Sequence, residues 1–236
     1  MKIYITEVEN ADFKEFLDLA LHLVSLDRLS KINELKNEVD KVASASAELL
    51  LSFAAEEYLF EKTSFDNLIS GKISEGVTFR PVSWRKLTGG YLGLPYTVVE
   101  GKNGKPEFKE EGAPFFNISH TDNVTVVALS DRPVGIDIEG KRGVEKYTMD
   151  RAFGSEDAAW IDTAGSAEER NDRFLKAWTL REAYLKMTGE KLFSEKAPKK
   201  MFDNGDISED IKSGYNVVEE RYDKYVITAI NKKDPG

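Results

Sequence analysis

Hydrophobic positions change period along the chain, and each change marks an element. Met1 to Thr6 (MKIYIT) reads as a β-strand. Behind Asp12, a residue of N-cap type, Phe13, Phe16, Leu17, Ala20 and Leu23 recur at helical spacing, which predicts a helix to about Leu26. Ile32, Leu35 and Val39 keep the helical period through the charge-dense stretch 29–41. The pattern continues into 43–60, where Ala47, Leu50, Leu51, Ala54, Ala55 and Leu59 form a buried stripe.

From Thr63 to Gly112 the texture changes. Glycines and prolines punctuate it, and only short strands fit, at 77–80 and 96–100. Phe115 to Ile118, Val124 to Ser130 and Val134 to Ile138 read as strands. Asp131-Arg132-Pro133 is turn chemistry, so the last two are expected to pair as a hairpin. Helical patterns follow at 147–153, 156–161 and 167–188, the last stopping at Gly189, a good residue just past a helix end. Strands at 215–222 and 225–230, joined at Asp223-Lys224, close the pattern. Strands with at least one long helix in each half predict an α+β fold.

Composition narrows the classes. A 41% hydrophobic and 32% charged chain has the profile of a soluble globular protein. A net charge of −9 argues against a general nucleic-acid binder. No apolar run approaches the ~20 residues that cross a bilayer, and the first strand lacks the marks of a signal peptide. We therefore expect no nucleic-acid or membrane partner and a cytoplasmic setting. The absence of cysteine removes disulfides, thiolate metal sites and cysteine nucleophiles. With only His22 and His120 present, a metal must be held mainly by oxygen, which favours Mg²⁺, or Mn²⁺ in its place.

Three fragments carry chemistry. In Val134-Gly135-Ile136-Asp137-Ile138-Glu139, residues two apart share a strand face, so Asp137 and Glu139 project together. Such a pair repels unless a cation sits between its members; an acidic strand end is the bland alternative. On a helix Trp178, Glu182 and Lys186 lie at i, i+4 and i+8 along one ridge. Alone, Glu182 and Lys186 are an ordinary surface ion pair. In Phe116-Asn117-Ile118-Ser119-His120-Thr121, adjacent Ser and His cannot orient on each other as a nucleophile pair must. A strand-end His followed by Thr suits an anion, and a structural His is the alternative.

Together these fragments resemble the 4′-phosphopantetheinyl transferases of the surfactin-synthetase-activating type, with two similar halves in one chain. Gly104-Lys105-Pro106, Phe116–Thr121, Val134–Glu139 and Trp178–Lys186 match four family motifs in the family's order. Phe153-Gly154-Ser155-Glu156 also looks like the family's segment before its last helix. The resemblance implies a pseudo-twofold arrangement of two α+β halves, 1–118 with coenzyme A contacts and 119–236 with the metal site and catalytic helix. It implies transfer of 4′-phosphopantetheine from coenzyme A, the co-substrate, to a serine of an apo acyl, peptidyl or aryl carrier protein. It also implies a requirement for Mg²⁺ and the release of 3′,5′-ADP. Asp137, Glu139 and Glu182 would be the metal ligands, and Glu182, Lys186 and Asp137 the catalytic residues. Lys105, Pro106, Ser119, His120, Arg28 and Lys31 would hold coenzyme A, in a protein expected to act as a monomer. The Arg that the family commonly has in the stretch 40–47 is missing here, leaving Lys41 as its only cation. Lys141, Arg142, Lys146 and Arg151 form a candidate basic patch for an acidic carrier, or a solvated basic loop. A Mg²⁺-dependent pyrophosphate or phosphodiester hydrolase and a non-catalytic coenzyme A or carrier binder are the alternatives.

Overall fold

In a computed structural model of the chain, the described residues are 1–63, 76–90, 93–141, 149, 151–191, 194, 198, 200–203 and 205–234. The chain divides into two compact units, one of residues 1–99 and 106–131, the other of 100–105 and 132–236. Both mix helices with mainly antiparallel sheet, as the α+β expectation requires.

The first unit begins with β1 (Lys2–Glu7), then α1 (Phe13–Ala20), α2 (Leu26–Glu34) and α3 (Glu38–Thr63). Next come β2 (Thr78–Pro81), α4 (Trp84–Gly89) and a two-stranded ribbon of β3 (Val98–Glu100) and β4 (Pro106–Phe108). The unit ends with β5 (Phe115–Thr121) and β6 (Val124–Ser130). The sheet order is β2-β1-β6-β5, parallel only between β1 and β2. Helix α3 lies on β6, β5 and β1, and α1, α2 and α4 pack on it in turn. That explains why its middle, from Val42 to Ala55, is, Glu48 apart, apolar or small on every side rather than along one stripe. The core joins Tyr4, Phe16, Leu49, Leu50, Val127 and Leu129.

Two helix boundaries differ from the periodic pattern. The expected helical continuity across 29–60 breaks at Leu35, which is extended. Asn37 then caps the next helix, its Oδ1 accepting from the Val39 and Asp40 amides at 2.8 and 3.4 Å. Asp12 precedes α1 but makes no side-chain cap; its Oδ2 accepts from Trp84 Nε1 at 3.1 Å instead. Helix α1 stops at Ala20, short of the expected Leu26, and Ser25 opens α2 with its hydroxyl accepting from the Arg28 amide.

The second unit holds β7 (Val134–Glu139), α5 (Ser155–Asp162), α6 (Ala167–Thr188) and the short β8 (Phe202–Asp203) and β9 (Asp206–Ile207). It closes with α7 (Glu209–Gly214), β10 (Tyr215–Tyr222) and β11 (Tyr225–Lys232). Its sheet runs β10-β11-β7, all antiparallel, and α6 lies across β7 and β11. Ser166 caps α6 by accepting from the Glu169 amide at 3.1 Å, and Gly189 ends it at φ +67°, as the sequence indicates. Phe174, Trp178, Ile161, Val226 and Ile230 fill the core beneath it.

Two expectations need correction. The hairpin of 124–130 with 134–138 does not form, because both edges of β6 are taken by β1 and β5, while β7 pairs with β11. The expected boundary between 118 and 119 falls inside β5, whose residues pair with β6 from Phe115 to Thr121; the chain divides after Asp131 instead.

Candidate active site

Strand β7 and helix α6 come unusually close, and one residue permits it. A Cβ on Gly135 would stand 1.9 Å from the Ala183 carbonyl oxygen and 2.6 Å from the Met187 nitrogen. Only glycine lets the helix backbone rest on the strand there. The two following same-face residues, Asp137 and Glu139, are therefore brought against the helix ridge of Trp178, Glu182 and Lys186. Beneath them Thr228, the cross-strand partner of Asp137, shares a hydrogen bond with Thr179 at 2.7 Å, fastening α6 to the sheet.

Each ridge residue meets the strand differently. Lys186 Nζ donates to Asp137 Oδ1 at 2.6 Å, and Asp137 is only 4% exposed. Trp178 Nε1 donates to Glu139 Oε1 at 3.2 Å. Glu182, between them, has a buried Oε1 with no hydrogen-bond partner. Burial above all, then the charges of Asp137 and Glu139, push its carboxyl up to about 7; Lys186 and Arg181 oppose that rise.

Among the described residues, three carboxylates face the Lys186 ammonium and the Arg181 guanidinium, which leaves negative charge in excess. A hard divalent cation would satisfy the orphaned Glu182 oxygen and relieve the repulsion, so the residues fit Mg²⁺. Among the described residues no three acidic or imidazole groups stand close enough together to form a ready-made metal cage, and Lys186 occupies Asp137 Oδ1.

The residues expected to hold coenzyme A are placed as follows. Lys105 belongs to the second unit, where its ammonium donates to the Val134 carbonyl at 3.2 Å and the Met187 carbonyl at 3.1 Å. It thus ties the start of β7 to the last turn of α6, a helix end that favours a cation. Asn103 adds to this clasp by donating to the Gly189 carbonyl at 2.6 Å. Pro106 opens β4 and is exposed. Ser119 and His120 point to opposite faces of β5, the serine buried and the histidine exposed, which removes them as a nucleophile pair. Arg28 is bound into the first unit, Nε donating to Glu48 at 3.2 Å and Nη1 to the Ser44 hydroxyl at 3.4 Å, while Lys31 is exposed. Lys141 and Arg151 are exposed; Arg142 and Lys146 lie outside the described residues.

Sequence reasoning placed Trp178 on the ridge but gave its indole no task, and it read Gly135 only as part of a motif. The signal was present: the same i, i+4, i+8 spacing that grouped Glu182 with Lys186 also included Trp178.

Comparison with known proteins bears on this same stretch. Residues 133–229 match the family model described as the 4'-phosphopantetheinyl transferase superfamily. The chain is 34% identical over 89 residues to 4'-phosphopantetheinyl transferase psf-1 of Bacillus pumilus, 37% of each chain. It is 29% identical over 121 residues to 4'-phosphopantetheinyl transferase gsp of Aneurinibacillus migulanus, covering 47% of this chain and 51% of that one. A third relative, 4'-phosphopantetheinyl transferase Sfp of Bacillus subtilis, is 29% identical over 89 residues, 38% of this chain and 39% of its own. The matched segments thus span between about a third and half of these relatives. Asp137, Glu139, Trp178, Glu182 and Lys186 all fall inside the matched stretch.

Proposed function

We propose, for a chain whose residues 133–229 carry the match to the 4'-phosphopantetheinyl transferase superfamily, that it transfers 4′-phosphopantetheine from coenzyme A to a carrier-protein serine. The serine oxygen bonds to the β-phosphorus of the pyrophosphate, and the bond from that phosphorus to the leaving 3′,5′-ADP breaks. The serine proton must be taken up, and the departing phosphate must be neutralised.

The observation that carries this reading is Glu182. A carboxylate with an unsatisfied buried oxygen, on the helix ridge that faces Asp137 and Glu139, is placed to accept a proton from a hydroxyl brought to the site. We assign it the serine proton. Lys186, one turn on along the ridge, stabilises or protonates the leaving 3′,5′-ADP once it is no longer required by Asp137. Asp137, Glu139 and Glu182 would hold Mg²⁺, which when bound neutralises pyrophosphate charge and polarises phosphoryl oxygens. In this reading coenzyme A also draws on Arg28, Lys31, Lys105, Pro106, Ser119 and His120. The work of the protein is positioning and charge neutralisation, as phosphoryl transfer generally demands.

Incubation with Mg²⁺, coenzyme A and an apo carrier, followed by intact-mass measurement of the carrier, tests the reading. A mass gain of one phosphopantetheine is expected. No gain with carriers from fatty-acid, polyketide and peptide synthesis overturns it, and free phosphopantetheine appearing instead identifies a hydrolase.

A further inference from the structure

Glu139 and Asp137 are held in chemically different ways, although they sit on one strand face. Asp137 faces an ammonium, whereas Glu139 accepts from an indole. An indole N–H is a donor only and carries no charge. It can therefore fix the direction of a carboxylate oxygen without adding a charge of its own to the site. The indole is itself well fixed: Trp178 is 7% exposed and stacks on Phe174 with centroids 5.8 Å apart and planes 22° apart. It stands one helical turn before Glu182, on the ridge that faces β7.

We propose that Trp178 is a positioning residue for the metal site, orienting Glu139 as a ligand through its indole N–H. The inference rests on the proposed function only in taking Glu139 as a metal ligand. Groups that orient ligands in this way typically matter to metal affinity about as much as 10- to 100-fold.

The first test needs no mutation. The protein has three tryptophans, so ¹⁵N spectra show three indole N–H signals. Titration with Mg²⁺ alone, without coenzyme A, is expected to shift the Trp178 signal. The Trp84 signal, whose indole donates to Asp12, is expected to stay in place. A Trp178 signal that does not move while Mg²⁺ binds overturns the proposal. The second test is Mn²⁺ binding followed by the loss of the free-ion resonance signal. Trp178→Phe keeps a ring against Phe174 but removes the donor, and is expected to bind Mn²⁺ about tenfold more weakly. If Trp178 acts through Glu139, the Trp178→Phe/Glu139→Gln double variant binds no more weakly than Glu139→Gln alone. Full additivity, or wild-type affinity in Trp178→Phe, defeats the proposal. Wild-type protein that binds no Mn²⁺ defeats the metal site of the proposed function, and this inference with it. Normal wild-type binding with an unaffected Trp178→Phe defeats only the inference.

Discussion

The long helices α3 and α6 each draw a glutamate away from bulk water, one in each unit, and the two glutamates are treated in opposite ways. Glu48 on α3 is 8% exposed and fully supplied with donors. Its oxygens accept from the Ser25 amide at 2.6 Å, the Ser25 hydroxyl at 3.0 Å and Arg28 Nε at 3.2 Å. All three donors lie at the start of α2, so the carboxylate fastens one helix to another. Glu182 on α6 stands beside two further carboxylates with one oxygen unsatisfied. An unsatisfied oxygen is not peculiar to Glu182, since Thr6, Ser46 and Thr125 also keep one; what sets Glu182 apart is that its neighbours on the facing strand are carboxylates rather than donors. The same residue type on the same kind of helix is a fastener in one unit and, in the proposed function, a reagent in the other.

Removing the reagent should give the largest effect. Glu182→Gln is expected to slow carrier modification by about a thousandfold, within the usual worth of a general base, while coenzyme A still binds. Near-normal turnover would remove Glu182 from its role. The same variant should change how metal-free stability responds to pH. A carboxyl raised from 4.5 to about 7 binds its proton more tightly folded than unfolded. Its contribution to stability is complete below the unfolded value and is lost as pH rises through the folded one. Chemical unfolding should therefore show the wild type losing more stability than Glu182→Gln between about pH 5 and about pH 8. Equal slopes would show that Glu182 titrates as an ordinary glutamate.

Gly135 sharpens the contrast from the strand side, with an effect on stability rather than rate. The added methyl of Gly135→Ala would meet backbone atoms at 1.9 and 2.6 Å, and backbone cannot rotate out of the way as a side chain can. Helix α6 must lift from β7, at a cost of about 3 kcal/mol in urea unfolding. The lift also separates Lys186 from Asp137, so folded Gly135→Ala is expected to lose activity. Gly214→Ala is the control, since nothing lies within 4 Å of its Cβ position; a change within about 0.5 kcal/mol is expected. Comparable costs at the two positions would show that the close approach of strand and helix is not what Gly135 provides.

How much of this could be read from the chain depends on how local the physics is. The end of helix α6 was legible because Gly189 sits at its own terminus. The shared face of Asp137 and Glu139 follows from the strand repeat alone. The pairing of β7 was not legible: a short turn after β6 predicts a hairpin, but the choice of partner depends on β1 and β11, which are distant in sequence. The two carbonyls that engage Lys105 belong to residues 134 and 187, so no local motif could reveal that clasp. The carboxylate pair of the site was written in a six-residue pattern; what holds it in place, Trp178 and Lys186, required the fold.

The smallest effect belongs to the fastener, and it tests whether the two glutamates differ in kind. Glu48→Ala removes three hydrogen bonds and leaves the Ser25 amide without its partner. Arg28 is partly exposed, so water can take over its guanidinium, and the loss should be about 2 kcal/mol of stability. Turnover per folded molecule at saturating coenzyme A, and Mn²⁺ affinity, are expected within about twofold of wild type. Saturation matters because Arg28, once released from Glu48, can change how tightly an anion is held without touching the chemical step. Glu182→Gln and Glu48→Ala should therefore cross over: one keeps the fold and loses the reaction, the other weakens the fold and keeps the reaction. If Glu48→Ala abolished turnover in protein shown to be folded, satisfied hydrogen bonds would not distinguish a structural carboxylate from a chemical one here.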